Sequence, residues 1–125
     1  MVSMSHGVQG KRARGTALDS ETARQVAETM QALAAPSRVR ILSRLRDGAC
    51  AVNELAASVE MEASAVSHQL RILRHLELVV GERKGRQIVY ALHDSHVGVL
   101  LEEAAYHVEH VRLGYSGAVT RKASA

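Results

Sequence analysis

The sequence contains no phenylalanine and no tryptophan, and its aromatic side chains are three tyrosines, so a buried core must be mainly aliphatic. Its single cysteine, Cys50, excludes an internal disulfide and a metal site built from several thiolates of one chain. No apolar run approaches the ~18–20 residues of a membrane span, so we expect no transmembrane segment. Residues 1–16 have basic side chains but no apolar core. We therefore expect no signal peptide and a cytoplasmic protein.

The charge balance is only weakly basic. Sixteen Lys and Arg oppose 13 Asp and Glu, a formal net charge of +3 over 125 residues. This excess is compatible with an anionic partner but does not identify one. The length suits one domain with tails. Because a domain of this size buries limited surface by itself, a dimer interface would help to stabilise it.

Composition divides the chain into a basic arm at residues 1–17, a folded domain at 18–113 and a tail at 114–125. The arm and the tail are rich in small and polar residues, and we expect both to be disordered. Apolar spacing and capping residues predict helices near residues 20–34, 37–46, 52–58, 63–75 and 94–113. Short apolar runs predict strands at 78–80 and 87–92. The sequence therefore predicts a mainly α fold with a small β-hairpin.

The helix predicted at 63–75 has two distinct faces. Its apolar residues recur at helical spacing and are expected to point inward: Val66, Leu70, Leu73 and Leu76. In the preceding helix the same expectation holds for Val39, Ile41, Leu42 and Leu45. The opposite face of 63–75 carries hydroxyl, imidazole and guanidinium groups able to reach base edges and phosphates: Ser64, His68, Arg71 and His75, with Ser67 on the flank.

A basic turn follows this helix, between the two predicted strands. It contains Arg83, Lys84, Gly85 and Arg86. An amphipathic helix alone would not indicate nucleic acid. A short helix, a tight turn, a second helix and a basic hairpin in this order, however, predict a winged helix-turn-helix that binds double-stranded DNA.

The last predicted helix carries side chains that bind divalent metals at both of its ends. Asp94 and His96 lie at its start, and His107 and His110 lie near its end. His107 and His110 are three residues apart and are therefore neighbours on one helix face. His96 belongs to the same stripe of the helix. As single residues these histidines would be ordinary exposed polar positions, but the combination favours a metal site.

The distance between the two pairs of ligands limits how they can bind one metal ion. His96 and His107 are eleven residues apart, which is ~16 Å along a helix axis, whereas metal–ligand bonds are about 2 Å long. One straight helix cannot bring all four groups to one ion, but an antiparallel second copy could. An apolar stripe beside the histidines gives two copies a reason to pair: Val97, Leu101, Ala104, Val108 and Val111.

Several of these segments together resemble the ArsR/SmtB family of bacterial repressors. The resemblance rests on residues 62–74 (EASAVSHQLRILR), on Leu78-Val79, Gly85-Arg86 and Tyr90, and on residues 33–42 (LAAPSRVRIL). It covers about residues 29–112. It implies a winged-helix homodimer, formed through the first and last helices, that binds an imperfect operator palindrome as the apo protein and is released by an inducer metal.

The family resemblance also indicates which kind of metal site to expect. The thiolate type uses Cys-x-Cys at the start of the short helix, where this chain has Ala51 and Asn53. The last-helix type uses Asp-x-His, then ten intervening residues, then His-x-x-Glu or His-x-x-His. Asp94, His96, His107 and His110 match it at every position. The His-x-x-His form looks most like that of the nickel/cobalt-sensing members in mycobacteria.

The identity of the metal is left open by the sequence. One carboxylate and three imidazoles suit Zn(II), and they suit Ni(II) or Co(II) equally if further ligands are added. The nickel/cobalt relatives add ligands from the N-terminus, where this chain has His6. His6 would take the equivalent place if translation began at Met4, and a start at Met1 would displace the amine.

These observations leave three functions to consider, which differ in how strongly the sequence favours them. The favoured one is a metal-responsive repressor released by Ni(II) or Co(II), or by Zn(II). The second is a winged-helix DNA-binding regulator with no metal inducer. The third, a metal-dependent hydrolase, is disfavoured because the sequence offers no nucleophile or phosphate-binding glycine loop, and a filled ligand set leaves no open position. We therefore expect no enzyme activity.

Overall fold

The structure, a computed structural model, describes residues 17–114. It contains five helices and three strands in the order α1 (Ser20–Ala32), α2 (Pro36–Arg46), β1 (Cys50–Ala51), α3 (Val52–Val59), α4 (Ala63–His75), β2 (Val79–Lys84), β3 (Gln87–Leu92) and α5 (Ser95–Arg112). The predicted helices are all present within about two residues of their expected ends. Contacts divide the chain into a first unit that ends at Ala34 and a second that begins at Ala35.

The first unit contributes α1 to the described residues. Asp19 caps this helix, since its side chain accepts a hydrogen bond from the backbone N–H of Thr22 at 2.7 Å. Leu18, Val26 and Met30 keep 46%, 38% and 47% of their surface exposed. Val26 and Met30, four residues apart, are therefore exposed apolar side chains on one face of α1.

The second unit is built around the aliphatic residues of α2, α3 and α4. Its fully buried large side chains are Ile41, Leu42, Leu55, Leu70, Leu73, Val66 and Val79. Two residues expected to point inward do not. Val39 is 37% exposed, because it lies about 115° around α2 from the centre of its buried face. Leu76 is 44% exposed, since α4 ends at His75 and the helical phase no longer applies.

The helix-turn-helix is formed by α3 and α4. Glu60 ends α3 in the left-handed conformation, with φ of 56°, and its backbone N–H bonds back to the helix. Three residues, Glu60 to Glu62, therefore suffice to reverse the chain direction before α4 begins at Ala63. The bounds predicted for α4 are confirmed.

The wing is an antiparallel sheet of strand order β1-β3-β2. The hairpin pairs Val79 with Leu92 and continues to Lys84 opposite Gln87. The expected strand at 78–80 was thus too short, and the placement of Arg83 and Lys84 in the turn was wrong. Both are the last residues of β2, because cross-strand pairing rather than apolar spacing holds this polar stretch. Gly85 and Arg86 form the turn, with Gly85 at φ +66°.

Strand β1 was not expected from the sequence. It is two residues long, and it pairs Cys50 with Tyr90 and Ala51 with Val89. A strand this short shows no alternation of apolar and polar residues, so periodicity cannot reveal it. Its effect is to join the start of α3 to the wing.

Candidate metal centre and nucleic-acid interface

Helix α5 is positioned by its N-cap, Asp94. The backbone of Asp94 is extended, and its Oδ1 accepts a hydrogen bond from the backbone N–H of His96 at 2.9 Å. An aspartate at this place stabilises the first turn of a helix relative to alanine. Asp94 therefore has a structural task in addition to its predicted role as a ligand.

Two imidazoles lie beside the Asp94 carboxylate. His93 Nδ1 is 3.3 Å from Oδ2, and His96 Nδ1 is 3.3 Å from Oδ1. The side-chain hydrogen bond from His93, followed by the backbone hydrogen bond from His96, lowers the pKa of Asp94 below its ordinary value. The carboxylate is therefore ionised at neutral pH, which is the state that binds a cation.

The three predicted histidine ligands are accessible on α5. The His96 side chain is 90% exposed, and His107 and His110 are exposed on the last two turns of the helix. Because α5 runs unbroken from Ser95 to Arg112, the structure leaves the two pairs of ligands at opposite ends. Among residues 17–114 of one chain, no three His, Cys, Asp or Glu side chains come together in a way that could hold a metal ion.

The donor chemistry of these residues fits a borderline divalent metal. One ionised carboxylate and three exposed imidazoles can bind Zn(II), Co(II) or Ni(II). Cys50 is unsuited to join them. It is 2% exposed in β1, and burial raises the pKa of its thiol above the ordinary value, so the metal-binding thiolate is disfavoured. His6, the further candidate ligand, lies outside the described residues.

The apolar stripe of α5 divides into two parts. Val97 and Leu101 are each 8% exposed, in the half of the helix that packs on α2 and β3. Val108 and Val111 are 54% and 62% exposed. The first part of the stripe is thus buried within the chain, and the last part is exposed.

Helix α4 presents its polar face to solvent. Val66, Leu70 and Leu73 are fully buried, whereas the predicted DNA-binding residues on the other side are exposed: Ser64, His68, Arg71 and His75. Ser67 is half-buried on the flank, as expected. His68, Arg71 and His75 line a cleft of about 530 Å³ together with Arg74. Arg74 had not been singled out, although its position three residues after Arg71 placed it beside the same face.

The wing brings its basic residues to one end of the hairpin. Arg83, Lys84 and Arg86 are exposed, and the Arg83 guanidinium donates a hydrogen bond to the backbone oxygen of Gly85 at 3.3 Å. Arg86 also lines a second cleft, of about 510 Å³, with Ser67 and the first residues of α3. The structure thus places Arg86 of the wing beside the helix-turn-helix.

One contact that positions α4 was missed entirely. Arg38 in α2 donates a hydrogen bond from Nε to Oε1 of Gln69 at 2.9 Å, in a partly buried setting. The two residues are separated by 31 positions, and no local spacing in the sequence relates them. This hydrogen bond fixes the middle of α4 against α2.

Known proteins resemble this chain over most of its length. Residues 35–80 match the family "Bacterial regulatory protein, arsR family". The transcriptional regulator NmtR of Mycobacterium tuberculosis is 58% identical over 113 residues, which cover 90% of this chain and 94% of NmtR. A transcriptional repressor SmtB homolog of Synechocystis is 42% identical over 83% of this chain and 79% of its own.

Solved structures agree with the fold described above. The solution structure of apo-NmtR matches with a TM-score of 0.68 and 57% identity, covering 85% of this chain and 89% of that one. A homodimeric winged helix-turn-helix DNA-binding domain of Mycobacterium bovis matches with a TM-score of 0.69 and 26% identity, over 84% and 98%. Within residues 17–114 no helix is both long and apolar enough to cross a membrane. The chain therefore belongs to the arsR family of bacterial regulatory proteins, which are winged helix-turn-helix transcriptional regulators and not enzymes.

Proposed function

We propose that this protein is a metal-responsive transcriptional repressor, which binds operator DNA as a metal-free homodimer and releases it when Ni(II) or Co(II) binds. The observation that carries the proposal is the placement of ligands on α5. An ionised Asp94 and an exposed His96 begin the helix, and His107 and His110 end it. The same helix leaves half of its apolar stripe uncovered.

The geometry supports a site shared between two chains. The ends of α5 are too far apart for one ion, so Asp94 and His96 of one chain require His107 and His110 of a second. Antiparallel pairing of two α5 helices would meet this need twice and give two equal sites in each dimer. Val108 and Val111 would then find apolar partners, and Val26 and Met30 of α1 offer further apolar surface. The similar domain from Mycobacterium bovis is homodimeric, which supports the assembly of two copies.

DNA recognition is assigned to α4 and to the wing. Exposed hydroxyl, imidazole and guanidinium groups on α4 can reach base edges in the major groove. Arg83, Lys84 and Arg86 carry the positive charge that binds phosphates. Two copies of this surface in a dimer would read an imperfect palindrome with half-sites about 10 bp, or a multiple of it, apart.

The choice of Ni(II) or Co(II) rests on the His-x-x-His form of the distal pair and on the similarity to NmtR. Both metals accept more than four ligands, and His6 is the residue proposed to extend the set. Zn(II) is the alternative inducer, because Asp94, His96, His107 and His110 suffice for tetrahedral coordination.

A release titration tests the proposal. A labelled duplex is first selected from a random library by the metal-free protein, and its binding is followed by fluorescence anisotropy during addition of Ni(II), Co(II) or Zn(II). We expect the inducer to weaken binding by about 5–150-fold, the usual range of allosteric coupling. The double variant His107→Ala/His110→Ala should keep DNA binding and lose the response, and Glu109→Ala is the matched control. Binding that no metal changes would contradict the proposal.

A further inference from the structure

His93 is the single residue between the last residue of β3, Leu92, and the N-cap of α5, Asp94. Its backbone N–H donates a hydrogen bond to the backbone oxygen of Leu78 at 2.9 Å. This bond extends the hairpin ladder by one step beyond the pair of Val79 and Leu92. The start of α5 is thereby fastened to the residue that precedes β2.

Leu78 is held on its other side by α4. Its backbone N–H donates a hydrogen bond to the backbone oxygen of Leu73 at 2.9 Å, and Leu73 is fully buried. The intervening Glu77 has φ of 62°, the left-handed conformation that lets the chain turn back onto the last turn of α4. Leu78 therefore joins the end of the DNA-reading helix to the backbone of His93 through two hydrogen bonds.

The His93 side chain completes the connection to the candidate metal ligand. Its Nδ1 lies 3.3 Å from Asp94 Oδ2. An ionised carboxylate only accepts hydrogen bonds, so this contact requires the proton on Nδ1. Asp94 Oδ1 is already used by the backbone N–H of His96. His93 is therefore the group that restrains the second carboxylate oxygen.

We propose that His93 is a positioning residue that links metal binding at Asp94 to the DNA-reading helix α4. The inference rests on the proposed function of Asp94 as a metal ligand. When the carboxylate turns to bind an ion, its hydrogen bond draws the His93 imidazole with it. The His93 backbone then changes its bond to Leu78, and Leu78 shifts the last turn of α4, where Arg74 and His75 lie. Outer hydrogen-bond partners of metal ligands are known to orient those ligands and tune their basicity.

The quantity that tests this role is the ratio of operator dissociation constants with and without saturating metal, measured separately for each variant. A change in DNA affinity that is independent of metal divides out of this ratio. In His93→Ala we expect the ratio to fall at least fivefold relative to the wild type. His93→Asn retains an N–H donor near the position of Nδ1, and it should restore the ratio to within twofold. Glu102→Ala, further along α5, is the matched control.

Backbone amide NMR provides a second measurement. It uses only the wild-type protein, so it remains possible if the His93 variants fail to fold. Diamagnetic Zn(II) added to the wild-type protein should shift the Leu78 and Arg74 amide resonances more than that of Ala57 in α3. A wild-type ratio that metal does not change would overturn the proposed function itself. A normal wild-type ratio that His93→Ala leaves intact, or unshifted Leu78 and Arg74 amides, would overturn the role of His93 alone.

Discussion

Arg71 and Lys84 offer two different tests of DNA recognition at the level of single residues. Arg71 lies on the exposed face of α4 and lines its cleft, so Arg71→Ala should weaken binding to the selected duplex by about 1–3 kcal/mol if it reaches a base edge. Lys84 ends β2 in the wing, and a phosphate contact there carries no sequence information. Lys84→Ala should therefore weaken specific and random duplexes alike.

Salt dependence separates the two roles. Removing one phosphate contact reduces the slope of log affinity against log salt by about 1, and we expect this for Lys84→Ala. Anisotropy titrations at several salt concentrations provide the measurement. Unchanged operator affinity in Arg71→Ala would show that the reading face of α4 has been assigned wrongly.

Cys50 should be chemically inert in the folded protein. Its side chain is 2% exposed, and burial raises the pKa of its thiol. Only the thiolate reacts with iodoacetamide, so a raised pKa moves the alkylation profile to higher pH. We expect slow alkylation at pH 8 in buffer and rapid alkylation in denaturant, as measured by mass spectrometry. Equal rates in both solvents would contradict the burial of β1.

The location of the candidate ligands at the two ends of α5 could be predicted from the sequence because their spacing is local. Asp94 and His96, and again His107 and His110, are two or three residues apart, and helical spacing relates such neighbours directly. The backbone hydrogen bond of His93 could not be predicted in the same way. Its backbone partner, Leu78, is fifteen residues distant, and only strand pairing brings them together.

At the level of elements, α4 was predicted best and the wing least well. The three fully buried residues of α4 repeat at helical spacing, so their pattern predicts a helix through this segment. Strand β2 runs through Glu82, Arg83 and Lys84, which are exposed and polar. These residues are extended because β3 pairs with them, and the residues that determine this pairing lie in a different segment of the chain. Strand β1 is likewise extended because it pairs with β3.

Gly81 is needed for close packing within the wing. It pairs with Tyr90, and a Cβ at this position would lie 3.0 Å from Cε1 of the Tyr90 ring and 3.2 Å from Cγ2 of Ile88. Tyr90 is 6% exposed and has little room to move. Overpacking of this kind costs about 1–3 kcal/mol, so Gly81→Ala should lower the free energy of unfolding in a urea titration.

Gly98→Ala is the matched control for this substitution. A Cβ at Gly98 would meet Cγ of Arg46 at 3.2 Å, in a side chain with several rotatable bonds. Replacing a glycine in a helix by alanine also gains about 1 kcal/mol. We expect stability close to that of the wild type. Equal losses in the two variants would show that crowding against Tyr90 is not the cause.

For the whole molecule, a shared site predicts that two inactive variants complement each other. Asp94→Ala/His96→Ala and His107→Ala/His110→Ala should each form homodimers without an intact site. When the two are unfolded and refolded together, a mixed dimer combines the proximal pair of one chain with the distal pair of the other. It should regain one site of native-like affinity, measured by metal titration and native mass spectrometry.

Each variant refolded alone is the control for this experiment. If all four ligands came from a single chain, no mixture of the two variants could restore a site. The number of ions bound per mixed dimer therefore distinguishes the two arrangements, independently of any effect on DNA.

Operator DNA and metal should each weaken the binding of the other to the dimer. If metal weakens operator binding by a given factor, linkage requires operator DNA to weaken metal binding by the same factor. Metal titrations with and without the selected duplex measure this change in metal affinity. A metal affinity indifferent to DNA would leave a binding site but no sensor.

The unbroken course of α5 has a consequence for how this sequence can diverge. Eleven residues separate His96 from His107, and they return a helix to within about 20° of its starting direction. A single inserted residue between them would turn the distal pair by about 100°. Inserting a whole turn would restore the direction, and in a homodimer it would lengthen both helices of the antiparallel pair by about 5 Å. The proposed site therefore requires that any insertion or deletion between His96 and His107 preserve the helical phase.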